Sequence, residues 1–163
     1  MEGGMRLSWK THSMGCYLLL NLVDRLRWKG EDLLQVFGRV VLDAPDVPTW
    51  FFRSMVKVLA DSGVQVCHIY NPSDNAIQAS CSRRNLERPV PGNDAILEHP
   101  NVQSVMCDKA RSSTGMNHDY GRCDGNSLLD QREFLAGEPP ENRVLEEIVS
   151  AEGVLGWRLK TWK

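Results

Sequence analysis

Trp9-Lys10-Thr11-His12-Ser13-Met14-Gly15-Cys16-Tyr17-Leu18-Leu19-Leu20 changes its period at the serine. Residues 5–11 read as an extended segment. From Gly15 onward, Leu18, Leu19, Leu22 and Leu26 recur at the spacing of an amphipathic helix. A strand therefore runs directly into a helix, with the serine on the junction between Thr11 and Gly15. A turn that sharp lifts a hydroxyl above the sheet and needs small residues where the backbone crowds. It also points the N–H of the next residue, Met14, at the place where an oxyanion develops. Thr11 stands where the GxSxG pattern has glycine, so its branched Cβ is expected to crowd the turn. The plainer reading of Ser13 is a helix N-cap.

Two further strand-to-helix units follow. Arg39 to Asp43 is a short run rich in β-branched residues; Ala44, Pro45 and Asp46 lead into an apolar helical segment from about Thr49 to Ala60. Gly63 ends that helix, Val64 to Tyr70 alternates as a strand does, and Asn71, Pro72, Ser73 and Asp74 supply turn and cap chemistry before a short helix through about Ser82. Residues 83–100 hold three of the eight prolines and read as a loop, with a last strand at about Val102 to Cys107. Leu128 to Leu135, and Val144, Leu145, Ile148 and Val149, follow helical spacing. The tail holds Leu155, Trp157, Leu159 and Trp162, apolar enough to dock on the domain. Strands alternating with helices predict an α/β fold, a mostly parallel sheet covered by helices on both faces, with function at the carboxyl ends of the strands. Ser13, Asp46, Asp74 and His118 all fall there.

Composition narrows the class. A chain of 163 residues with 42% hydrophobic and 25% charged residues suits one globular domain. A net charge of −2 and no basic run longer than Arg83-Arg84 argue against nucleic acid as a partner. The longest apolar stretch, Met14 to Val23, is too short to span a bilayer, and the polar start is unlike a signal peptide, which points to a cytoplasmic protein. Five cysteines without a CxxC pair argue against a disulfide framework and a structural zinc site; most are expected to be buried thiols. No cofactor motif is present, and the lack of a glycine-rich loop after a strand disfavours a nucleotide-binding domain.

The segments THSMGCYLLL (residues 11–20), VLDAPDV (41–47), IYNPSDNAI (69–77) and HDY (118–120) together resemble an uncharacterised, HSMG-type serine hydrolase family of the α/β-hydrolase superfamily. The four segments occur in that family's order, and the likeness runs from about Gly4 to Leu135. It implies Ser13 as nucleophile, Asp74 as the acid that orients the base, and His118 as general base, in the chain order Ser, Asp, His. The chemistry is coherent. A serine hydroxyl is a poor nucleophile without a base in reach, and the base needs a carboxylate to fix its tautomer.

Each role has rivals. His12 adjoins the serine but is expected to leave the turn in another direction; His68 lies inside a strand, and His99 precedes Pro100. Asp46 is the alternative acid, and either Asp46 or Asp74 is also placed to cap the helix that follows it. Met14, Trp50, Phe51 and Phe52 are candidates for an acyl pocket, although core packing explains such residues more often. Asp124 to Phe134 resembles the interior of a calcium loop, but Arg122 stands at the first ligand position and Ser127 where the turn glycine belongs. A solvated turn leading into a helix is the simpler account, and no metal is expected.

Only twelve residues precede Ser13, so the expectation is a single partial domain, residues 1–163, beginning at the nucleophile strand and corresponding to the C-terminal half of the fold. The earlier strands, and the loop that supplies a second oxyanion donor, would then be absent. Two readings follow. One is an enzyme acting on small-molecule carboxylic esters through an acyl-enzyme. The other is a catalytically inactive hydrolase fragment or interaction module that self-associates through an exposed sheet edge.

Overall fold

A computed structural model describes residues 6–84, 90–95, 97–149, 153 and 155–161. Strands β1 (Leu7–His12), β2 (Phe37–Asp43), β3 (Gln65–Tyr70) and β4 (Val102–Met106) line up in sequence order, each parallel to the last. The crossovers are helices: α1 (Met14–Trp28) with the short α2 (Leu33–Val36) after β1, α3 (Thr49–Asp61) after β2, and α4 (Asn75–Arg84) after β3. Beyond β4 come α5 (Tyr120–Cys123), α6 (Gly125–Ala136), a 3-10 turn at Pro140–Asn142, and strands β5 (Leu145–Val149) and β6 (Leu155–Leu159). The strand order is β1-β2-β3-β4-β6-β5, an α/β fold with a mostly parallel sheet.

The period-two alternation of the strands separates two cores. Val40, Leu42, Val64 and Val66 meet Cys16, Leu20, Val23, Phe52, Val56 and Leu59 of α1 and α3 on one face. Val41, Cys67, Ile69 and Val105 meet Tyr120, Phe134, Leu145 and Leu159 on the other. Helix α3 shows why such a segment folds as it does. Phe52, Met55, Val56, Leu59 and Ala60 fall at helical spacing and are all buried, each worth roughly 1.5–3 kcal/mol for the large side chains. The helix stops at Ser62, whose amide bonds the Val58 carbonyl, and the chain turns through Gly63 at φ 87°, a backbone conformation that favours glycine.

Two expectations are corrected at the C-terminal end. Val144 to Val149 is not helical: Leu145, Glu146, Glu147, Ile148 and Val149 form an antiparallel strand on β6, with the paired glutamates facing solvent. Leu145 and Ile148, three apart, would share one face of a helix but lie on opposite faces of a strand, so the local spacing favours a helix, and the open side of β4, which takes β6 and with it β5, decides the outcome. The tail does more than dock, because β6 pairs parallel with β4, Val105 to Trp157 and Met106 to Arg158, and so sits inside the sheet. Trp162 lies outside the described residues, as do parts of the proline-rich loop. The calcium-like segment leads into a helix, as expected, but is not wholly solvated. Asp124 caps α6, accepting from the Asn126 and Ser127 amides, and Asp130 is buried against Arg143 rather than solvated.

Of the five cysteines, Cys16, Cys67, Cys81 and Cys107 are buried thiols and Cys123 is exposed. No helix among the described residues is long and apolar enough to cross a membrane.

Arg143 donates to both carboxylate oxygens of Asp130, at 2.8 and 3.0 Å, with neither side chain reaching solvent. Removing one partner strands a buried charge. Asp130→Ala is therefore expected to lower stability by about 3–5 kcal/mol in urea denaturation, and a loss below about 1 kcal/mol would contradict this role for the pair.

Candidate active site

Ser13 sits where the sequence pattern puts it, between the last residue of β1 and the first of α1, at φ 55° and ψ −127°. That conformation costs a non-glycine residue on the order of 1–3 kcal/mol. It is held by neighbours: the Ser13 amide donates to the Asp43 carbonyl at 2.9 Å, and the Ser13 carbonyl accepts from the amides of Cys16 at 3.0 Å and Asp46 at 3.3 Å. Ser13 makes no side-chain cap bond to α1, so the N-cap role does not occupy its hydroxyl. Met14 is the first residue of α1, a position whose N–H has no acceptor inside the helix. The expected crowding by Thr11 is absent. A Cβ built at Gly15 would lie an ordinary 3.8 Å from the Thr11 Cβ, and the Thr11 hydroxyl turns toward Cys16 Sγ and the Val41 carbonyl.

Asp74 ends the turn after β3. One carboxylate oxygen accepts from the Ile77 amide at 3.0 Å, capping the start of α4, and the other accepts from His118 Nδ1 at 2.7 Å. The capping and orienting roles thus coexist, one per oxygen. Asp74 is wholly buried and braced by Asn93, which donates to the carbonyls of Asn71 at 2.9 Å and Asp74 at 3.3 Å. The hydrogen bond to Asp74 raises the His118 pKa against the opposing effect of burial. With Nδ1 as donor, a neutral His118 presents Nε2 as its acceptor. Asp46, the alternative acid, is engaged elsewhere: it pairs with Arg84 and accepts from the Ser80 hydroxyl at 2.8 Å.

Three features near the site escaped the sequence reading. His12 turns toward the base instead of away, donating from Nε2 to the His118 carbonyl at 3.0 Å with the two rings edge to face at 4.7 Å; desolvation lowers its pKa. Asp119 clamps the loop before the base, accepting from the hydroxyls of Ser112 and Ser113, from the Ser113 amide at 3.1 Å and from Cys123 Sγ at 3.2 Å. Asp43 is buried with both carboxylate oxygens lacking a hydrogen-bond partner, and burial pushes its pKa up to about 7. The clue to Asp119 and Asp43 was their place, one beside His118 and one at a strand end; nothing local told them from ordinary surface caps. Among the described residues the non-glycine positions of positive φ are Ser13, Ala44 and Asn117, at 47° to 55°, all next to these groups, and strained backbone gathers at functional sites.

The rest of the proposed acyl-pocket set divides. Phe52 is core, Phe51 is half-buried against Tyr17, and Met14 and Trp50 are largely exposed. A cleft of about 740 Å³ lined by Glu98, His99, Gln103, Pro140 and Trp157 includes none of the groups above. His68 is buried, bonded to the Pro91 carbonyl and the Ser104 hydroxyl, and His99 bonds Asp61. Among the described residues no group of three His, Cys, Asp or Glu is placed to hold a metal ion.

A serine on a strand-turn-helix junction, a carboxylate-held histidine in a later loop and a mostly parallel sheet are features an α/β hydrolase combines. A family model described as alpha/beta hydrolase of unknown function (DUF900) matches residues 3–126, and the chain belongs to that family. No curated protein and no solved structure matches it.

Two measurements check this geometry. Ser13→Gly relieves the turn and is expected to raise stability by about 1 kcal/mol in urea denaturation; an unchanged or lower midpoint would contradict strain at this position. Because His118 titrates above its ordinary 6.5 in the folded chain, the His118–Asp74 pair contributes fully below that value and its contribution is lost as pH rises through the folded-state pKa. The stability gap between the parent and His118→Ala should therefore be wider near pH 6 than near pH 8.5.

Proposed function

We propose that this chain is a serine hydrolase that cleaves carboxylic esters through an acyl-enzyme. Ser13 Oγ attacks the ester carbonyl carbon while His118 Nε2 takes the hydroxyl proton. The Met14 N–H receives the developing oxyanion. The C–O bond to the alcohol breaks and His118 returns its proton to the leaving alkoxide. Water, deprotonated by the same nitrogen, then attacks the acyl carbon, the bond to Ser13 Oγ breaks, and His118 returns the proton to Oγ as the carboxylic acid leaves. Asp74 holds the imidazole in the tautomer that makes Nε2 basic and stabilises it once charged. The scheme calls on no cofactor or metal.

The observation that carries this reading is the 2.7 Å bond from His118 Nδ1 to a fully buried Asp74, because it fixes the nitrogen left to act as base. The strained turn at Ser13 supports it from the other side. Membership of an alpha/beta hydrolase family gives hydrolase-type function its coarse outline; ester specificity and the three roles are our reading.

A second reading rests on the open edge of β1. That strand ends the sheet order, Leu7 is 55% exposed, and Met14 and Leu18 are exposed on the helix that follows it. An unpaired strand edge beside apolar side chains invites pairing with another chain. On this reading the chain is a catalytically inactive module that self-associates.

Intact-mass labelling with a fluorophosphonate separates the two. On the first reading the folded chain gains one adduct, Ser13→Ala and His118→Ala gain none, Asp74→Asn labels on the order of 10⁴-fold more slowly, and Asp46→Asn is slowed far less. A folded chain that takes up no label, and that sediments as a dimer until proline replaces Ser8, would favour the second.

A further inference from the structure

We propose that Asp43 is a second acid of this site, a positioning residue seated beneath the base loop that adds to Asp74 the negative field in which His118 carries its proton. The inference deepens the hydrolase reading and rests on it. Asp43 closes β2, and its backbone carbonyl is the acceptor that anchors the Ser13 amide. Its side chain has no solvent exposure and neither oxygen has a hydrogen-bond partner. A buried carboxyl left without hydrogen-bond partners is costly and calls for an explanation.

What lies over the carboxyl is the segment that follows the base. A Cβ at Gly121 would fall 2.1 Å from each Asp43 oxygen, so only glycine lets this backbone rest on the carboxyl. The hydroxyl of the neighbouring Tyr120 is likewise buried and unpartnered. Lys10 Nζ donates to the Gly121 carbonyl at 3.2 Å, which brings a cation to the same spot. The charged and titratable groups facing Asp43 are Lys10 of β1, Arg122 and Tyr120 of α5, His118 and Asp74, with the thiols of Cys16, Cys67 and Cys107 behind. The interaction with His118 is mutual, since Asp43 is among the groups that raise the His118 pKa.

Ionised Asp43 therefore favours the imidazolium that forms when Ser13 is deprotonated, while protonated Asp43 does not. Asp74 fixes the ring and its tautomer; Asp43 adjusts how readily that ring accepts a proton. Burial pushes the Asp43 carboxyl up to about 7, so that it ionises in the neutral range, where a small change in pH alters the field at the base.

The test is a His118 imidazole titration by NMR in the full chain and in Asp43→Asn, with fluorophosphonate labelling rates measured on the same samples. The expected result is a lower His118 midpoint in Asp43→Asn and labelling slower by roughly tenfold above neutral pH, converging with the parent below it. Superimposable His118 titrations would overturn the proposal. The titration needs no turnover, so a parent chain that takes no label would count against the hydrolase reading alone. If Asp43→Asn does not fold, the parent labelled with ¹³C at aspartate decides: Asp43 and His118 should share a titration step, and independent curves would overturn the proposal.

Discussion

The bond from the Ser13 amide to the Asp43 carbonyl, 2.9 Å long, is the constraint from which the site is built. It continues the parallel β1–β2 ladder, in which His12 faces Asp43, by one residue beyond the strand. Parallel strands keep pairing only while both backbones stay extended, so the chain must leave the ladder at once if a helix is to start at Met14. The left-handed turn at Ser13 is the outcome. Its counterpart follows on β2, where Ala44 also adopts positive φ and its amide bonds the Ile69 carbonyl of β3. Successive strands thus end in step, and side chains from Ser13, Asp43 and Asp74 rise at one margin of the sheet.

Precision at that margin comes from polar groups with few alternatives. Asp74 divides its two oxygens between a helix terminus and a histidine. Asp119 gathers hydroxyls, an amide and a thiol from one loop. His12 ties the same loop to the nucleophile turn through a backbone carbonyl. The Asp74 and His12 contacts tie the base loop to other elements while Asp119 stiffens the loop itself, so displacing the base would break several bonds in buried or half-buried surroundings, where lost partners are not readily replaced by water.

Much of this was legible in the residues. The change of period at Ser13, the β-branched run ending at Asp43 and the turn chemistry of Asn71 to Asp74 fixed the first three strand-helix units to within a few residues, because buried parallel strands and amphipathic helices carry strong periodic signals. The last two strands were not legible as strands. Leu145 is buried, but Glu147 and Val149 on the same face are exposed and Ile148 lies on the other, so no period-two pattern marks the strand, and its pairing partner lies across a chain reversal that periodicity does not encode. Neither did the pattern reveal the direction of His12, which depends on where a loop more than a hundred residues later comes to rest. The burial of Asp43 was hidden for a similar reason: it depends on Gly121, a residue remote in sequence and ordinary in composition.

The placement of β6 between β4 and β5 has a consequence for how the chain reaches this state. The first four strands can add to one another in the order of synthesis, each beside its predecessor. β4 then stays unpaired on its outer side until residues 155–159 arrive, some fifty residues later, bringing β5 with them as the other arm of a hairpin. Closing so long a loop is slow relative to local pairing. The interval between the two events is therefore when this chain presents the unpaired N–H and C=O groups of β4, and when a chaperone or a second nascent chain would find them.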